Sequence, residues 1–476
     1  MALAYSIALS KGEAAPLKTT VIIVRHGQST SNASRVIQGH HDKAVLTKLG
    51  EQQAHKVGET LSGLAIDAVY ASPLKRAQRT CEIVVKTMEQ AGNAVPDIQL
   101  IDQIKEINLP LWESKSFDEV EANYPEMYLA WRTLPNEFVM PVPNTDGTTT
   151  DFYPVRDIWE RATLVWQTIL DKHAGQTILL VGHSAINRAL VGAAIGLRPE
   201  HLNSMGQDNC AINVLNFVGR WQGDGASVQL ESLNVTSHLG QPIPQRRSRF
   251  KGPRFLLVRH GETNWNRDGR FQGKIDIPLN DNGHRQAAQA GEFLKAVKID
   301  AAVSSSMLRP KETAEGILQH HPSVNLETTE QLWEIGHGEW EGMLETEIEA
   351  GYPGMLGQWQ SNPETVQMPA GENLDDVWAR AKKGWGDIVS AYSEGINNWE
   401  TPPTVMVVAH DAINKAILCQ LFGLGPEKFW QFKQGNGAVS VIDYHGGPDS
   451  MPVLSAANIT THLSGSIFDK TAAGAL

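Results

Sequence analysis

Cysteine is scarce. Cys81, Cys210 and Cys419 are far apart and form neither a CxxC pair nor a metal-ligand spacing, which excludes a disulfide framework and a cysteine-built metal site. Reduced structural thiols in a reducing compartment are therefore expected. Positive charge is also in short supply. A formal net charge of −12 argues against attachment to nucleic acid or to an acidic membrane, both of which rely on clustered Lys and Arg. Any anionic ligand must find a locally basic pocket. No apolar run is long enough to span a bilayer, and no Gly-rich nucleotide loop is evident. Residues 1–20 contain no Arg and no basic start followed by an apolar core, unlike a secretory signal or an Arg-rich transit peptide. A flexible arm over 1–18 is expected, and cytoplasmic residence, with the chloroplast stroma as the alternative.

What the chain does have, it has twice. Val24-Arg25-His26-Gly27-Gln28-Ser29 is matched by Val258-Arg259-His260-Gly261-Glu262-Thr263, and Asn234-Val235-Thr236-Ser237-His238-Leu239 by Asn458-Ile459-Thr460-Thr461-His462-Leu463. Between these ends, Arg76 and Arg309, Glu106 and Glu334, and His183 and His410 recur in the same order at nearly constant separation. This is an internal duplication. Each copy is roughly 200 residues, an ordinary domain size, giving expected domains at 19–240 and 253–464. Residues 241–252, bearing Pro242, Pro244 and Arg246-Arg247, are expected to be an exposed linker, and 465–476 a loose tail.

Within a copy, strand-like and helix-like runs alternate. An apolar β-rich run (20–24; 255–258) ends at Arg-His-Gly. An amphipathic helix (50–61; 283–294), a short strand (68–71; 301–304) and a late apolar strand (177–181; 404–408) follow, the last feeding a helix that begins near Asn187 or Asn414. The pattern predicts an α/β fold in each copy, a largely parallel central sheet flanked by helices. In such sheets ligands gather at the carboxyl ends of the strands, where the Arg-His-Gly pairs, His183 and His410 all fall.

Two His, two Arg and one Glu per copy point to phosphate chemistry. A neutral imidazole is a competent nucleophile toward phosphorus, and guanidinium groups clamp phosphate oxygens. Phosphoryl transfer rests mainly on positioning and charge, so such a pocket needs neither metal nor cofactor. The expected partner is a small phosphorylated metabolite. Arg-His-Gly alone is a weak signal; two complete sets in register are not.

On these motifs the chain resembles the histidine phosphatase superfamily, which includes phosphoglycerate mutases and sugar phosphatases, over nearly all of both halves. The resemblance implies a metal-independent phosphomonoesterase acting on sugar or sugar-acid phosphates. It makes His260 the phosphorylated nucleophile, Arg259, Arg309 and His410 the rest of the phosphate pocket, Glu334 the proton donor, and Asn266, Gln272 and Gly273 the lining. In the first copy the matching residues are His26; Arg25, Arg76 and His183; Glu106; and Asn32, Gln38 and Gly39. The segment Leu332-Trp333-Glu334-Ile335-Gly336-His337-Gly338 lacks the mutases' Asn-Glu-Arg-His-Tyr sequence, which leaves the mutase as the second reading. Pro110 and Ser114 replace family glycines in the first copy, and 143–147 replaces the second copy's Pro369-Ala370-Gly371-Glu372-Asn373. A reshaped acid loop and lid are expected there, so a third reading makes the first copy a binding or regulatory module.

Overall fold

A computed structural model describes residues 17–223, 225, 227–394 and 401–471. The arm expected over 1–18 lies outside the described residues except for Leu17 and Lys18, and Lys18 already begins a strand. The chain divides into two compact units, one built mainly from 17–230 and one from 242 onward.

In the first unit, β1 (Lys18–Arg25), β6 (Thr177–Gly182), β2 (Ala68–Ala71) and β3 (Ile98–Leu100) lie side by side and parallel. On the other side of β1, β7 (Ile212–Val218) runs antiparallel, with β8 (Val228–Val235) beside it. A hairpin of β4 (Met140–Pro143) and β5 (Thr149–Phe152) occupies the stretch where the copies differ. The second unit repeats the plan: β9 (Arg254–Arg259), β12 (Thr404–Ala409), β10 (Ala301–Ser305) and β11 (Leu326–Thr329) are parallel, and β13 (Val439–Tyr444) is antiparallel to β9 and to β14 (Pro452–Ile459). Each is thus an α/β unit with a mostly parallel sheet and flanking helices.

The reason lies in the apolar runs. Every residue of β12 is buried, as a strand covered on both faces requires; Val405, Val407 and Val408 are fully buried, and each such side chain stabilises the fold by roughly 1.5–3 kcal/mol. Helices Lys48–Leu61 and Asp281–Leu294 start two residues before the expected point, because Thr47 and Asn280 accept the N–H of Gly50 and Gly283 as N-caps.

The stretch expected to be an exposed linker is exposed at Gln241, Gln245, Ser248, Arg249 and Lys251 but packed between them. Ile243 joins the core cluster of Leu256, Val258 and Leu294, Phe250 is buried, and Arg246 donates to the carbonyls of Pro402 and Pro403. Its Pro and Arg content marked a turn-rich segment, but the carbonyl partners that bury Arg246 come from far along the chain. Residues 465–471 likewise bury Ile467, and Thr471 accepts from the Asn436 N–H.

Candidate active sites in both copies

Strand order decides which residues meet. In parallel register, Arg25 stands opposite Gly182 and Arg259 opposite Ala409, so the next residue on each strand faces its counterpart. His26 N–H bonds to the Gly182 carbonyl and His260 N–H to that of Ala409, both at 3.0 Å. The rings of His26 and His183 are 5.1 Å apart, and those of His260 and His410 5.2 Å, edge to face.

The glycine after each histidine is needed for close packing rather than for an unusual turn. A Cβ on Gly27 would lie 2.3 Å from the Gly50 carbonyl oxygen, and one on Gly261 2.6 Å from that of Gly283. This proximity seats the strand end against the following helix.

Hydrogen bonding fixes the ring chemistry. Nδ1 of His260 lies 2.7 Å from the Gly261 carbonyl, as does Nδ1 of His26 from Gly27. A carbonyl only accepts, so Nδ1 carries the proton and Nε2 keeps its lone pair. Burial, then Arg309 and Arg259, hold His260 well below the usual histidine pKa; burial, then Arg25 and Arg76, do the same for His26. Both are neutral at pH 7. His410 and His183 instead turn Nε2 to Ser305 and Ser72, at 3.0 and 2.8 Å, and their Nδ1 atoms are buried with no partner among the described residues.

The arginines are held by carbonyls. Arg309 donates to Gly273 (2.8 Å) and Ile275 (3.2 Å), Arg76 to Gly39 (3.0 Å) and His41 (3.2 Å), Arg259 to Gln434 (2.6 Å), and Arg25 to Gln207 (2.8 Å). Nε of Arg76, Arg259 and Arg309 is buried without a partner among the described residues. Arg309, brought down to about 10 by burial, stays charged at neutral pH. Buried cations fastened mainly to neutral oxygens retain charge for an anion.

Each glutamate caps a helix from a distance. Glu334 accepts N–H bonds from Asp411 and Ala412 at the start of helix Asp411–Gln420, at 3.0 and 3.1 Å, and from Ile335 at 3.0 Å. Glu106 accepts from Ser184, Ala185 and Ile107, at 3.1, 2.9 and 2.9 Å. Burial first, then Asp411, raises the Glu334 pKa above the ordinary carboxylate value, against Arg309, the Ile335 N–H and Arg259. Each helix begins directly after its histidine, three residues before the expected start.

Residues 21–230 and 255–456 both match the family profile of the histidine phosphatase superfamily, branch 1. The chain belongs to the histidine phosphatase superfamily. It is a phosphoric monoester hydrolase of that family, in tandem form. It is 30% identical over 93% of its length to the 2-carboxy-D-arabinitol-1-phosphatase of Triticum aestivum, covering 86% of that protein. To the probable 2-carboxy-D-arabinitol-1-phosphatase of Arabidopsis thaliana it is 29% identical over 93% of its length, covering 88%. A single-copy relative, phosphoserine phosphatase 1 of Hydrogenobacter thermophilus, is 34% identical over 44% of this chain and 94% of its own.

The remaining expected residues gather around these groups. Asn266 accepts from the Thr263 N–H and Asn436, and Asn32 from the Ser29 N–H and Asn209, closing the first turn after each histidine. Gln38 accepts from Ser29, and Gln272 is buried. Gly39 and Gly273 act through their carbonyls on Arg76 and Arg309.

Sequence reasoning passed over several supports. Asn209 and Asn436 donate to the carbonyls of His26 and His260; the repeated Gln207-x-Asn209 and Gln434-x-Asn436 carried the signal. Asn234 and Asn458, within strands Val228–Val235 and Pro452–Ile459, take left-handed φ of 53° and 51° and accept from Asp208 N and Gly435 N, pinning those same loops. Glu341 takes the N–H groups of Lys274 and Ile275 and so fixes the loop that carries Gly273.

The first copy's acid loop departs from expectation in an instructive way. Ser114 keeps the left-handed conformation of its counterpart Gly342, φ 68° against 85°, and donates its N–H to Ile37 as Gly342 does to Phe271. The family glycine is lost without the turn being lost. Pro110 stands at the place of Gly338, whose φ is +58°, a value that proline's ring forbids; the chain does differ there. In the second copy the Gly338 turn lies against Pro369 and Gly371, and Gly336 N–H donates to Glu372. Lys274 and Arg380 complete that ionic cluster, at 2.8 and 2.6 Å from Glu372. Among the described residues no group of three or more His, Cys, Asp or Glu forms a metal site, and no helix is long and apolar enough to cross a membrane.

Proposed function

We propose that the second copy is the principal catalytic site, hydrolysing sugar or sugar-acid monophosphates through a phosphohistidine on His260. The phosphohistidine reading is carried by the locked His260 ring, whose Nδ1–H is tied to Gly261 so that Nε2 keeps its lone pair, with the His410 ring 5.2 Å away. His26 is locked the same way, and the preference for the second copy rests on its acid loop, where Gly336 N–H, Lys274 and Arg380 hold Glu372. In the first step the Nε2–P bond forms as the bond from phosphorus to the leaving oxygen breaks. Arg259, Arg309 and His410 hold the phosphoryl oxygens, and Glu334 passes its proton to the leaving oxygen. In the second, water attacks phosphorus, the P–N bond breaks, and the water proton goes to the Glu334 carboxylate. The phosphate leaves with the acid restored.

The first pocket carries the same set on His26, Arg25, Arg76, His183 and Glu106, which supports a second hydrolytic site of different substrate fit over a purely regulatory module. Likeness along nearly the whole chain to proteins named 2-carboxy-D-arabinitol-1-phosphatase supports that sugar-acid phosphate as the substrate to try first. Phosphate release should be measured over a panel of sugar and sugar-acid phosphates, with chelator present. Mass spectrometry after an alkaline quench, which preserves the P–N bond, should find phosphate on His260, and His260→Ala should lose most turnover. Phosphate on a Ser or Asp overturns the mechanism. Isomerisation of 3-phosphoglycerate outrunning phosphate release, with a bisphosphoglycerate primer, favours a mutase.

A further inference from the structure

The two pockets differ at a residue that touches the acid and is absent from the shared set. Helix Asp411–Gln420 opens with Asp411, whose N–H holds Glu334 at 3.0 Å. Its own carboxylate is buried, 2.6 Å from Lys415 Nζ and 3.6 Å from Arg259 Nη1. Lys415 is buried too, over the rings of Trp430 and Phe429 at 4.5 and 4.8 Å. The first copy has Ser184 and Arg188 at these positions.

A buried carboxylate is costly unless it is paired, and a helix of this kind needs no Asp at its start when Glu334 already caps it. The groups facing Glu334 come from every neighbouring element: Arg259 and His260 at the end of β9, Arg309 from helix Leu308–Leu318, His410, Asp411 and Lys415 around the start of helix Asp411–Gln420, and Arg380, which donates to the Glu334 carbonyl. The cations and three N–H donors all favour an ionised Glu334, which would have no proton to give. Asp411 is the anion among them.

We propose that the Asp411 carboxylate, seated between Arg259 and Lys415 at the helix start that Glu334 caps, is a positioning residue that sets the protonation state of Glu334 in the second pocket. Asp411 is also the second-largest cause, after burial, of the raised Glu334 value. With Ser184 in its place, the first pocket lacks this control. The inference rests on Glu334 as the proton donor.

The test uses the full chain carrying His26→Ala, so that only the second pocket turns over, and follows kcat/KM against pH. The two probes are 3-phosphoglycerate, whose alkoxide must be protonated, and p-nitrophenyl phosphate, whose phenolate leaves without help. Asp411→Asn should move the basic limb for 3-phosphoglycerate down by about one pH unit, roughly tenfold in rate on that limb, and hardly change p-nitrophenyl phosphate. Asp411→Ser with Lys415→Arg, the pair natural to the first copy, should move it the same way without stranding a buried lysine. Asp411→Glu should restore it. A limb unmoved in both of the first two variants, while Glu334→Gln abolishes it, overturns the role of Asp411 alone. A limb that survives Glu334→Gln overturns the acid assignment beneath it.

Discussion

Glu334→Gln separates the structural and the chemical duties of one carboxyl. The two oxygens receive N–H groups from opposite sides: Ile335 and Ala412 on Oε1, Asp411 and again Ala412 (3.4 Å) on Oε2. A protonated acid retains acceptor capacity on both oxygens, whereas an amide must turn its NH2 toward at least one of these donors. Losing one hydrogen bond of this class costs about 2 kcal/mol, so the unfolding midpoint should fall, and Glu106→Gln should cost about the same, its carboxylate being held the same way. The catalytic losses should differ. General acid help is worth roughly 100- to 10,000-fold, and the second copy's site is the one buttressed by Gly336, Gly338 and Glu372. Values of kcat/KM, which report formation of the phosphohistidine and not its hydrolysis, should therefore drop far more for Glu334→Gln than for Glu106→Gln on 3-phosphoglycerate, with p-nitrophenyl phosphate much less affected in both. Equal losses from the two substitutions would refute the asymmetry; equal losses on the two substrates would refute the acid role.

His337 is fully buried against Phe271 and Trp359, with neither ring nitrogen partnered among the described residues, and burial draws it down to about 3. His337→Phe should stabilise the second unit by about 1–2 kcal/mol in denaturant unfolding; a loss instead would mean the ring has a bound partner. Ser114 holds φ +68°, so Ser114→Gly should be neutral or stabilising by up to about 1 kcal/mol, and Gly342→Ser, whose Cβ would lie 3.2 Å from Trp265, destabilising in the same assay. His238 and His462 bond Cys210 and Gly437 carbonyls, and burial lowers each to about 4. A folded pKa below the unfolded value near 6.5 gives stability that is full above pH 6.5 and is lost as pH falls toward 4, roughly 3 kcal/mol per histidine at the limit. Thermal midpoints should fall across that window and fall less steeply in His238→Gln; a flat profile would contradict the assignment.

Repetition made most of the site legible without coordinates. Arg-His-Gly at the end of an apolar run, an Arg after a serine turn, a Glu before the loop tryptophan and a His ending a late strand recur in order, and each has few chemical uses outside an anion pocket. The strands were equally readable, since 177–181 and 404–408 are apolar after their opening threonine and, at this length and richness in β-branched residues, such a run suits a strand covered on both faces. Helix starts at Ser184 and Asp411 were not readable. Their N-cap residues are His183 and His410, which make no side-chain cap bond; the capping oxygens belong to Glu106 and Glu334, far away in sequence, so no Ser, Thr, Asp or Asn stands at the cap position to mark the boundary. Nor could the sequence say that Ser114 keeps a glycine's turn, because whether a residue bears a left-handed φ depends on the contacts that hold it there. The linker misled in part for a related reason: Arg246 looks solvated until Pro402, Pro403 and Asp443 surround it. Residue types and their order determined which chemistry this chain carries. Tertiary structure alone decided which protonation and tautomer each group adopts, because those depend on burial and on neighbours brought together from distant parts of the chain.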